Sequence, residues 1–212
     1  MSGTLVSVNV AEFRLLQLRG RSVKTGIFKQ PADGPVHAGP EGLEGDHIAD
    51  RRYHGGLDKA LYAYAVEDYE WWARELEREW QPGLFGENLT VAGVDPSHAE
   101  IGERWRIGSA LLEVSEPREP CAKLAAKLGE RLFVKRFARA LRLGAYMRVI
   151  EPGEVLAGDT IEVVERPGHG ITTEVLGRVL FGESSLAEGA LQAPALSAPW
   201  RKLIEQRAER AA

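Results

Sequence analysis

Cysteine is almost absent from this 212-residue chain, whose single example is Cys121. One cysteine excludes a disulfide within the chain, so we expect a protein of a reducing compartment, the cytoplasm. Long apolar runs are absent as well. Nowhere do about 18 apolar residues follow one another, and no charged start precedes an apolar stretch. The sequence therefore predicts neither a membrane span nor a secretory leader.

An excess of positive charge is also lacking. The chain has 27 lysines and arginines and 31 aspartates and glutamates, which gives a net charge of −4. This balance gives the whole molecule no attraction to nucleic acid or to membranes. Two segments depart from it: residues 14–29 and 120–150 are rich in cations, and their only acid is Glu130. They suggest a discrete anion site, although we expect most cations of residues 127–139 to coat a solvated helix.

The one cysteine lies in an unusual setting, Pro117-Arg118-Glu119-Pro120-Cys121, directly before a helical pattern. The two prolines stiffen the approach to the thiol. Arg118, Lys123 and the positive end of the following helix favour a thiolate. Cys121 is thus a candidate nucleophile or soft-metal ligand. The alternative, a structural cysteine that packs as a small hydrophobe, stays open.

Two further stretches carry candidate site residues. In the first, the Lys24 ammonium, the Thr25 hydroxyl and the backbone near Gly26 could hold a phosphate, although the order is not that of a Walker loop and an ordinary loop is the alternative. In the second, His54-Gly55-Gly56 forms a tight turn that presents an imidazole. Asp46, His47, Asp50 and His54 match no common zinc or iron pattern, so we expect a turn held by polar side chains there.

Short stretches of alternating apolar and polar residues predict strands at residues 5–10, 13–18, 105–108, 110–114, 145–150 and 160–164. Helical spacing predicts helices at residues 66–80, 121–128 and 131–141, and Pro152-Gly153 predicts a turn. This content indicates a mainly β barrel or sandwich with peripheral helices. A proline and glycine break at residues 166–170 predicts a boundary between a first domain, residues 1–166, and a C-terminal domain of three short helices, residues 170–212.

Several short motifs occur in one characteristic order. They are Val23-Lys24-Thr25-Gly26-Ile27, Gly45-Asp46, His54-Gly55-Gly56 with Asp58-Lys59-Ala60, Phe85-Gly86-Glu87-Asn88-Leu89-Thr90, Pro117-Arg118-Glu119-Pro120-Cys121 and Gly158-Asp159. No single motif is specific, but their joint order resembles MOSC-domain proteins of the YiiM type over residues 4–165. The tail resembles the small C-terminal three-helix domain of that type. The resemblance implies a MOSC-like β-barrel.

The resemblance also implies that the chain binds the molybdenum cofactor, a pyranopterin dithiolene phosphate, and that Cys121 is the thiolate bound to molybdenum. A soft thiolate suits a metal that already has sulfur ligands. Lys24 and Thr25, beside Gly26, match the lysine and hydroxyl pair that contacts the pterin phosphate in the family. Asn88 and Arg118 fall in its cofactor-facing segments.

Three more residues take their expected roles from the same resemblance. His54 and Lys59 lie in a family motif, and we take His54 as a candidate catalytic residue together with Cys121. Arg142 is expected to contact the cofactor. Family members often have serine-glycine before this arginine, whereas this chain has Ala140-Leu141. The hydrogen bonds of that loop to the cofactor are therefore in question.

The activity implied by the resemblance is reductive removal of oxygen from a small N-hydroxylated substrate, such as an N-hydroxylated purine, a hydroxylamine or an amidoxime. No nicotinamide or flavin fingerprint occurs, so the electrons are expected from an external flavoprotein or haem protein. Two alternatives stay open. The chain could carry sulfur or the cofactor on Cys121 without turnover, or its C-terminal helices could act as a nucleic-acid adaptor.

The charges of the C-terminal segment weigh against the nucleic-acid adaptor. From residue 171 onward five cations are balanced by five acids. Because a nucleic-acid-binding unit is normally basic, we prefer a cover over the barrel or a homodimer contact for these helices.

Overall fold

The computed structural model describes residues 2–50 and 54–210. The strands of these residues are β1 Ser2–Val10, β2 Arg14–Leu18, β3 Arg21–Thr25, β4 Gln30–Pro31, β5 Val36–Gly39, β6 Gly42–Leu43, β7 Leu61–Ala65, β8 Leu89–Ala92, β9 Arg104–Ile107, β10 Ala110–Pro117, β11 Ala145–Glu151, β12 Gly153–Val155 and β13 Thr160–Glu165. The α-helices are α1 Val66–Leu76, α2 Ala122–Leu128, α3 Phe133–Ala140, α4 Thr173–Phe181, α5 Ala187–Ala190 and α6 Ala198–Glu209. Short 3₁₀ helices occupy Leu57–Lys59 and Ser184–Leu186.

Seven of the strands close into a barrel. Around the ring the order is β13, β9, β10, β11, β7, β8 and β1, and β1 pairs back with β13. Neighbouring strands are antiparallel except β7 and β8, which run parallel. Closure satisfies the backbone hydrogen bonds that an open sheet would leave at its edges. The predicted mainly β fold is confirmed, and the barrel is the correct form of it.

The predicted strands correspond to β1, β2, β9, β10, β11 and β13, with ends that differ by up to a few residues. The predicted pair at residues 105–108 and 110–114 forms the antiparallel hairpin of β9 and β10. Gly108 at its turn has a φ of 55°, and a Cβ there would lie 2.3 Å from the carbonyl oxygen of Glu154. Glycine is therefore required at this turn both for its backbone conformation and for the close approach of the chain.

Strand β7 is one that the sequence pattern did not reveal. All five of its residues, Leu61–Ala65, are buried, and it lies between β11 and β8 in the ring. A strand that is buried on both faces shows a continuous apolar run instead of alternation. The run Leu-Tyr-Ala-Tyr-Ala is such a stretch, so its length and its aromatic residues were the available signal.

Three local predictions were wrong. Residues 21–25 form strand β3, paired with β2, instead of an ordinary loop. Helix α1 ends at Leu76 and not near residue 80, because Glu77 adopts a left-handed conformation with φ 48° and ψ 45°. Pro152-Gly153 was taken as a turn, but Gly153–Val155 pairs with β5 as strand β12.

Helices α1, α2 and α3 enclose an aromatic cluster on the outer side of the barrel. Tyr64 of β7, Tyr69 and Trp72 of α1, Phe85, and Phe137 of α3 are buried together in it. The ring centroids of Tyr64 and Phe85 stack 4.5 Å apart, and such aromatic pairs contribute about 0.5–1.5 kcal/mol beyond the burial of their area. The aromatic residues on one face of α1 thus belong to the hydrophobic core.

Among the helices that the structure describes, none combines the length and the apolar character that a membrane span requires.

The C-terminal helices pack against the barrel. Leu176 of α4, Ala190 of α5 and Trp200 of α6 belong to the same buried cluster as the barrel interior. Polar contacts join the two parts as well, since the Ser197 hydroxyl donates to Glu116 Oε2 at 2.7 Å. All three predicted helical stretches are present. The proposed division into domains at residues 166–170 stays a prediction.

Candidate functional site

A pocket opens where the loop after β3, the segment after β6 and the end of β10 meet beside the barrel. It holds about 590 Å³ of empty space, part of which is open to solvent. This volume falls within the range of about 300–1,000 Å³ that is usual for small-molecule sites. The residues that line it are Thr25, Gly26, Ile27, Lys29, Asp46, His47, Ile48, Ala49, Asp50, His54, Lys59, Tyr62, Gly86, Asn88, Arg118, Cys121, Lys123 and Tyr146.

Cys121 forms part of the pocket wall at the N-terminal end of α2. Its backbone is extended, with φ −131° and ψ 154°, as the residue that caps a helix requires. Its Sγ accepts a hydrogen bond from Arg118 Nη2 at 3.5 Å. Part of the side chain packs against the aromatic cluster, and the residue is only half-buried. The thiol therefore combines apolar packing on one flank with access to the pocket.

Arg118 supplies the positive charge beside this thiol. Only 4% of the residue is exposed, and its guanidinium lies 5.4 Å from the Tyr62 ring centroid and 5.8 Å from that of Phe137. It forms no ion pair with a carboxylate of residues 2–50 or 54–210. Burial disfavours its charge, but the negative charges that Cys121, Tyr62 and Tyr146 can carry outweigh this and raise the pKa of Arg118. Arg118 is thus a buried cation that donates a hydrogen bond to the Cys121 sulfur.

The electrostatic effect of Arg118 at the Cys121 sulfur can be compared with the effect of the N-terminus of helix α2. Two unit charges about 4 Å apart interact by about 4 kcal/mol at an effective dielectric constant of about 20. A charge at a helix N-terminus gains only about 0.3–1 kcal/mol, and α2 has just 7 residues. Arg118, more than helix α2, therefore dominates the electrostatic environment of the Cys121 sulfur.

His54 and Tyr146 form a second polar pair on the pocket wall. His54 Nδ1 lies 3.4 Å from the Tyr146 hydroxyl oxygen. Burial, with the positive charges of Arg118, Lys123 and Lys59, lowers the pKa of His54 to about 4, although Asp50 opposes this. Burial raises the pKa of Tyr146 to about 12. At neutral pH the pair is a neutral imidazole beside a neutral phenol.

Asp46 connects several groups in another part of the pocket wall. Its Oδ2 pairs with the Lys29 ammonium and accepts a hydrogen bond from Asn88 Nδ2 at 2.9 Å. Its Oδ1 accepts from the backbone N–H of Ala11 at 2.9 Å. Burial lowers the pKa of Lys29, against the attraction of Asp46. One carboxylate thereby fixes a buried cation, a buried amide and a loop at the same place.

Asn88 lines the pocket, but its amide group also holds the barrel together. Its Oδ1 accepts a hydrogen bond from the backbone N–H of Tyr62 at 3.2 Å. Its Nδ2 donates to the carbonyl of Asn9 at 3.3 Å as well as to Asp46. Both amide protons are therefore used within the protein. The oxygen retains capacity for one further hydrogen bond.

The Thr25-Gly26 segment forms another part of the wall. The Thr25 hydroxyl accepts a hydrogen bond from the backbone N–H of Ile27 at 3.2 Å, which closes a short local turn. A Cβ on Gly26 would lie only 1.8 Å from the carbonyl oxygen of His47. Glycine at position 26 thus lets the loop pass directly over the segment that carries Asp46.

The pocket continues outward into a second, more open part. Its lining shares Asp50, His54, Lys59, Cys121, Lys123 and Tyr146 with the inner part and adds Leu18, Glu119, Pro120 and Ala122. Cys121 therefore lies at the junction of an inner and an outer space. An arrangement of this kind can hold one group inside and admit another from solvent.

The structure brings most of the predicted site residues together, since Thr25, Gly26, Asn88, Arg118, Cys121 and His54 all line the pocket. Lys24 does not, because its ammonium lies 3.7 Å from the centroid of the Phe13 ring on the outer side of the hairpin. Arg142 does not either. Its guanidinium pairs with Asp68 and lies 5.0 Å from the Trp71 ring centroid.

Metal-ligating residues are sparse in the pocket. Within residues 2–50 and 54–210, no group of three or more histidine, cysteine, aspartate or glutamate side chains could hold a metal ion. A single thiolate suits a metal that arrives with ligands of its own.

Lys29, Tyr62 and Tyr146 are pocket residues that the sequence analysis did not single out. Lys29 was noted only as one member of a basic run. Tyr62 lies in the unassigned strand β7, and Tyr146 lies on a strand whose pattern indicates only burial. Their positions depend on how β7 and β11 pair, with Tyr62 opposite Tyr146 in the register, and no local pattern contains that information.

Comparison with known proteins identifies the family. The family model described as the MOSC domain matches residues 50–162, more than half of the chain. This chain belongs to the MOSC-domain family. The matched MOSC segment contains Cys121, Arg118, His54, Asn88 and Tyr146, whereas the wall formed by residues 25–29 and by Asp46 lies before it.

Relatives of this MOSC protein match along most of its length. YflK of Bacillus subtilis strain 168 is 36% identical over 210 residues, which cover 98% of this chain and 95% of YflK. The crystal structure of YiiM from Geobacillus stearothermophilus superposes with a TM-score of 0.81 and 30% identity, covering 97% of this chain and 98% of that one. The resemblance to the YiiM type is confirmed.

A third relative is named for an activity. A protein of Gibberella moniliformis named "Reductase" is 37% identical over 166 residues. The match covers 72% of this chain but only 29% of that protein. The similarity is thus confined to one part of that longer protein.

Proposed function

We propose that this MOSC protein binds the molybdenum cofactor through Cys121 and reduces N-hydroxylated small molecules. The observation that carries the proposal is the position of Cys121 on the pocket wall, with its Sγ 3.5 Å from the guanidinium of the buried Arg118. A positive charge there favours the thiolate, which is the form that ligates metals. Cys121 is the only thiol in the chain.

The residues of the pocket fit an anionic, metal-carrying cofactor. One thiolate, with no cluster of metal ligands among the described residues, suits a metal whose other positions are filled by dithiolene sulfurs. Arg118, Lys59 and Lys123 bring positive charge to the lining, and the volume is that of a small-molecule site. We propose that Cys121 holds the metal while Arg118 balances its charge, with Thr25, Gly26 and Asn88 against the organic part.

The bound cofactor would supply the two-electron chemistry that no side chain of the protein can perform. Removing the oxygen of an N–OH group as water consumes two electrons and two protons, and leaves an N–H group. We propose that His54 and Tyr146 hold and pass a proton where the inner and outer parts of the pocket meet. Both line each part, and both are neutral at neutral pH.

Further support comes from the comparisons and from the composition. The relative named "Reductase" makes a redox role consistent with the family. The chain has no fingerprint for a nucleotide redox cofactor, so we propose an external flavoprotein or haem protein as the electron donor. The single cysteine is consistent with work in the cytoplasm.

The proposal is tested by turnover with a small reductant. Protein made in a host that synthesises the cofactor is mixed with reduced methyl viologen and an N-hydroxylated purine, a hydroxylamine or an amidoxime. We expect the corresponding amine or amidine from the wild type and none from Cys121→Ser. Arg139→Gln is the matched control and should retain full turnover, since Arg139 is exposed on α3.

The same experiment separates the carrier alternative. A wild type that holds cofactor but converts none of the three substrate classes is a carrier and not a reductase. Undiminished turnover by Cys121→Ser would show that another group binds the metal.

A further inference from the structure

The β2–β3 hairpin, residues 14–25, is a concentrated basic surface on an acidic chain. Its cations Arg14, Arg19, Arg21 and Lys24 are all exposed, and no acid occurs from residue 13 to residue 29. None of the four forms an ion pair with another described residue. The strands form a two-stranded sheet separate from the barrel sheet. The hairpin is therefore a projecting, unneutralised patch on a molecule of net charge −4.

An apolar side chain stands among these charges. Leu15 is 72% exposed, the most exposed large hydrophobic side chain among the described residues. In the strand register it lies opposite Lys24, and Phe13, which is 38% exposed, lies beneath that ammonium. An apolar centre with a charged rim is typical of a protein interface.

The hairpin also borders the mouth of the pocket. Leu18, at the end of β2, lines the outer part together with Pro120 and Cys121, and β2 packs against helix α2. Arg19 follows directly at the hairpin turn. A protein seated on the hairpin would therefore face the opening that leads to Cys121.

We propose that the β2–β3 hairpin docks an acidic electron-transfer protein that carries flavin or haem. The proposal rests on the reductase function, which requires two electrons from outside the chain for each N–O bond broken, with the oxygen leaving as water after gaining two protons. The rate of electron transfer between two proteins falls steeply with the distance between their redox centres. A donor protein must therefore bind next to the mouth of the pocket. Electron-transfer interfaces are small and steered by charge, as four exposed cations around one leucine allow.

A protein fits this surface better than nucleic acid does. The four exposed cations of the hairpin form one short patch, while the chain as a whole has a net charge of −4 and gives no continuous basic track for a long polyanion. Glu119 and Asp50 also lie at the outer part of the pocket. A compact acidic protein can engage the hairpin and avoid these groups.

Binding is measured first, by surface plasmon resonance with the immobilised full chain. The probes are flavodoxin, an acidic flavin protein, cytochrome c, a basic haem protein, and a 20-base-pair DNA duplex. We expect binding of flavodoxin that weakens as salt rises, and no binding of cytochrome c. The double variant Arg19→Glu/Arg21→Glu should bind flavodoxin at least about tenfold more weakly.

A matched control carries the same change of charge elsewhere. Lys202→Glu/Arg210→Glu alters two exposed cations of the C-terminal segment, which contributes nothing to either part of the pocket. This variant should bind flavodoxin within about twofold of the wild type. Equal binding by wild type and Arg19→Glu/Arg21→Glu, absence of flavodoxin binding at low salt, or tighter binding of the DNA duplex would each overturn the proposal.

Turnover separates this proposal from the reductase function. With reduced methyl viologen, a small cation, the Arg19→Glu/Arg21→Glu variant should match the wild type, whereas with reduced flavodoxin its rate at limiting donor should fall at least about tenfold. A wild type that is inactive with viologen contradicts the reductase function. An active variant that is not impaired with flavodoxin contradicts the docking surface alone.

Discussion

The guanidinium of Arg118 lies 3.5 Å from the sulfur of Cys121, inside the protein and without a carboxylate partner among the described residues. A buried arginine normally needs an anion, because an isolated charge is costly to remove from water. Here the side chain that the guanidinium contacts is the thiol of Cys121. This pair links the buried wall of the pocket to the one reactive thiol in the chain, and it is the basis of the proposed cofactor site.

Replacing Arg118 with methionine should make Cys121 less reactive. The positive charge 3.5 Å from the sulfur is lost, and alkylation by iodoacetamide should slow by at least about tenfold, since about 1.4 kcal/mol already corresponds to a factor of ten. Cys121 is the only thiol, so the label reports on it alone. Arg139→Met serves as control, and an alkylation rate unchanged in Arg118→Met would disprove the electrostatic role.

Removing the charge of Asp46 should destabilise the fold strongly. Asp46→Asn leaves the Lys29 ammonium buried without its carboxylate, and breaking a buried pair costs about 3–5 kcal/mol. The side chains of Lys29 and Asp46 are only 7% and 2% exposed. Urea unfolding of Asp46→Asn, Lys29→Met and the double variant measures the coupling. The double variant should recover most of the loss, whereas simple additivity would contradict a coupled pair.

The low pKa of His54 predicts a loss of stability in mild acid. Its pKa is about 4 in the folded protein, below the usual value of about 6.5 in an unfolded chain. As the pH falls from about 6.5 towards 4, the unfolded chain binds a proton that the folded protein resists. The free energy of unfolding should therefore drop by up to about 3 kcal/mol.

The comparison that isolates this effect is wild type against His54→Gln, both without cofactor, by urea unfolding at pH 7.5 and pH 4.5. The difference between the two pH values should be smaller in His54→Gln. Equal pH dependence in both proteins would mean that His54 is not held neutral in the fold.

Gly26 is predicted to be intolerant of any side chain. In Gly26→Ala the new methyl group would meet the carbonyl oxygen of His47 at 1.8 Å, a contact that only backbone movement relieves. We expect a loss of about 2 kcal/mol or more in unfolding free energy. Gly189→Ala is the matched control, because its Cβ meets nothing within 4 Å and alanine is favoured in helix α5. A cost at Gly26 no larger than at Gly189 would contradict the close approach.

Local patterns were sufficient for much of the fold but not for the arrangement of the strands. The alternation in residues 5–10 and the spacing in residues 133–140 depend only on near neighbours, and β1 and α3 were predicted from them. Strand β7 lacked alternation because it is buried on both faces. Its parallel pairing with β8 joins segments separated by helix α1, and no short pattern specifies such a partner.

The candidate site, too, could be predicted only in part from local sequence patterns. The pattern after Cys121 predicted a helix there, and helix α2 begins at Ala122. The Asp46 network could not be foreseen, because it joins Ala11, Lys29 and Asn88 through contacts between distant segments. Lys24 and Arg142 were predicted from motif order alone. Motif order does not say which way a strand faces, so their contact with the cofactor stays a prediction.

The most direct test of the account is the molybdenum and pterin content of protein from a host that makes the cofactor. Wild type, Cys121→Ala and the surface control Arg139→Gln are purified in parallel and analysed by metal mass spectrometry and pterin fluorescence. The account predicts about one molybdenum per chain in the wild type and in Arg139→Gln, and its loss in Cys121→Ala. Wild-type protein without molybdenum or pterin, while a control molybdoenzyme is loaded in the same host, would contradict it.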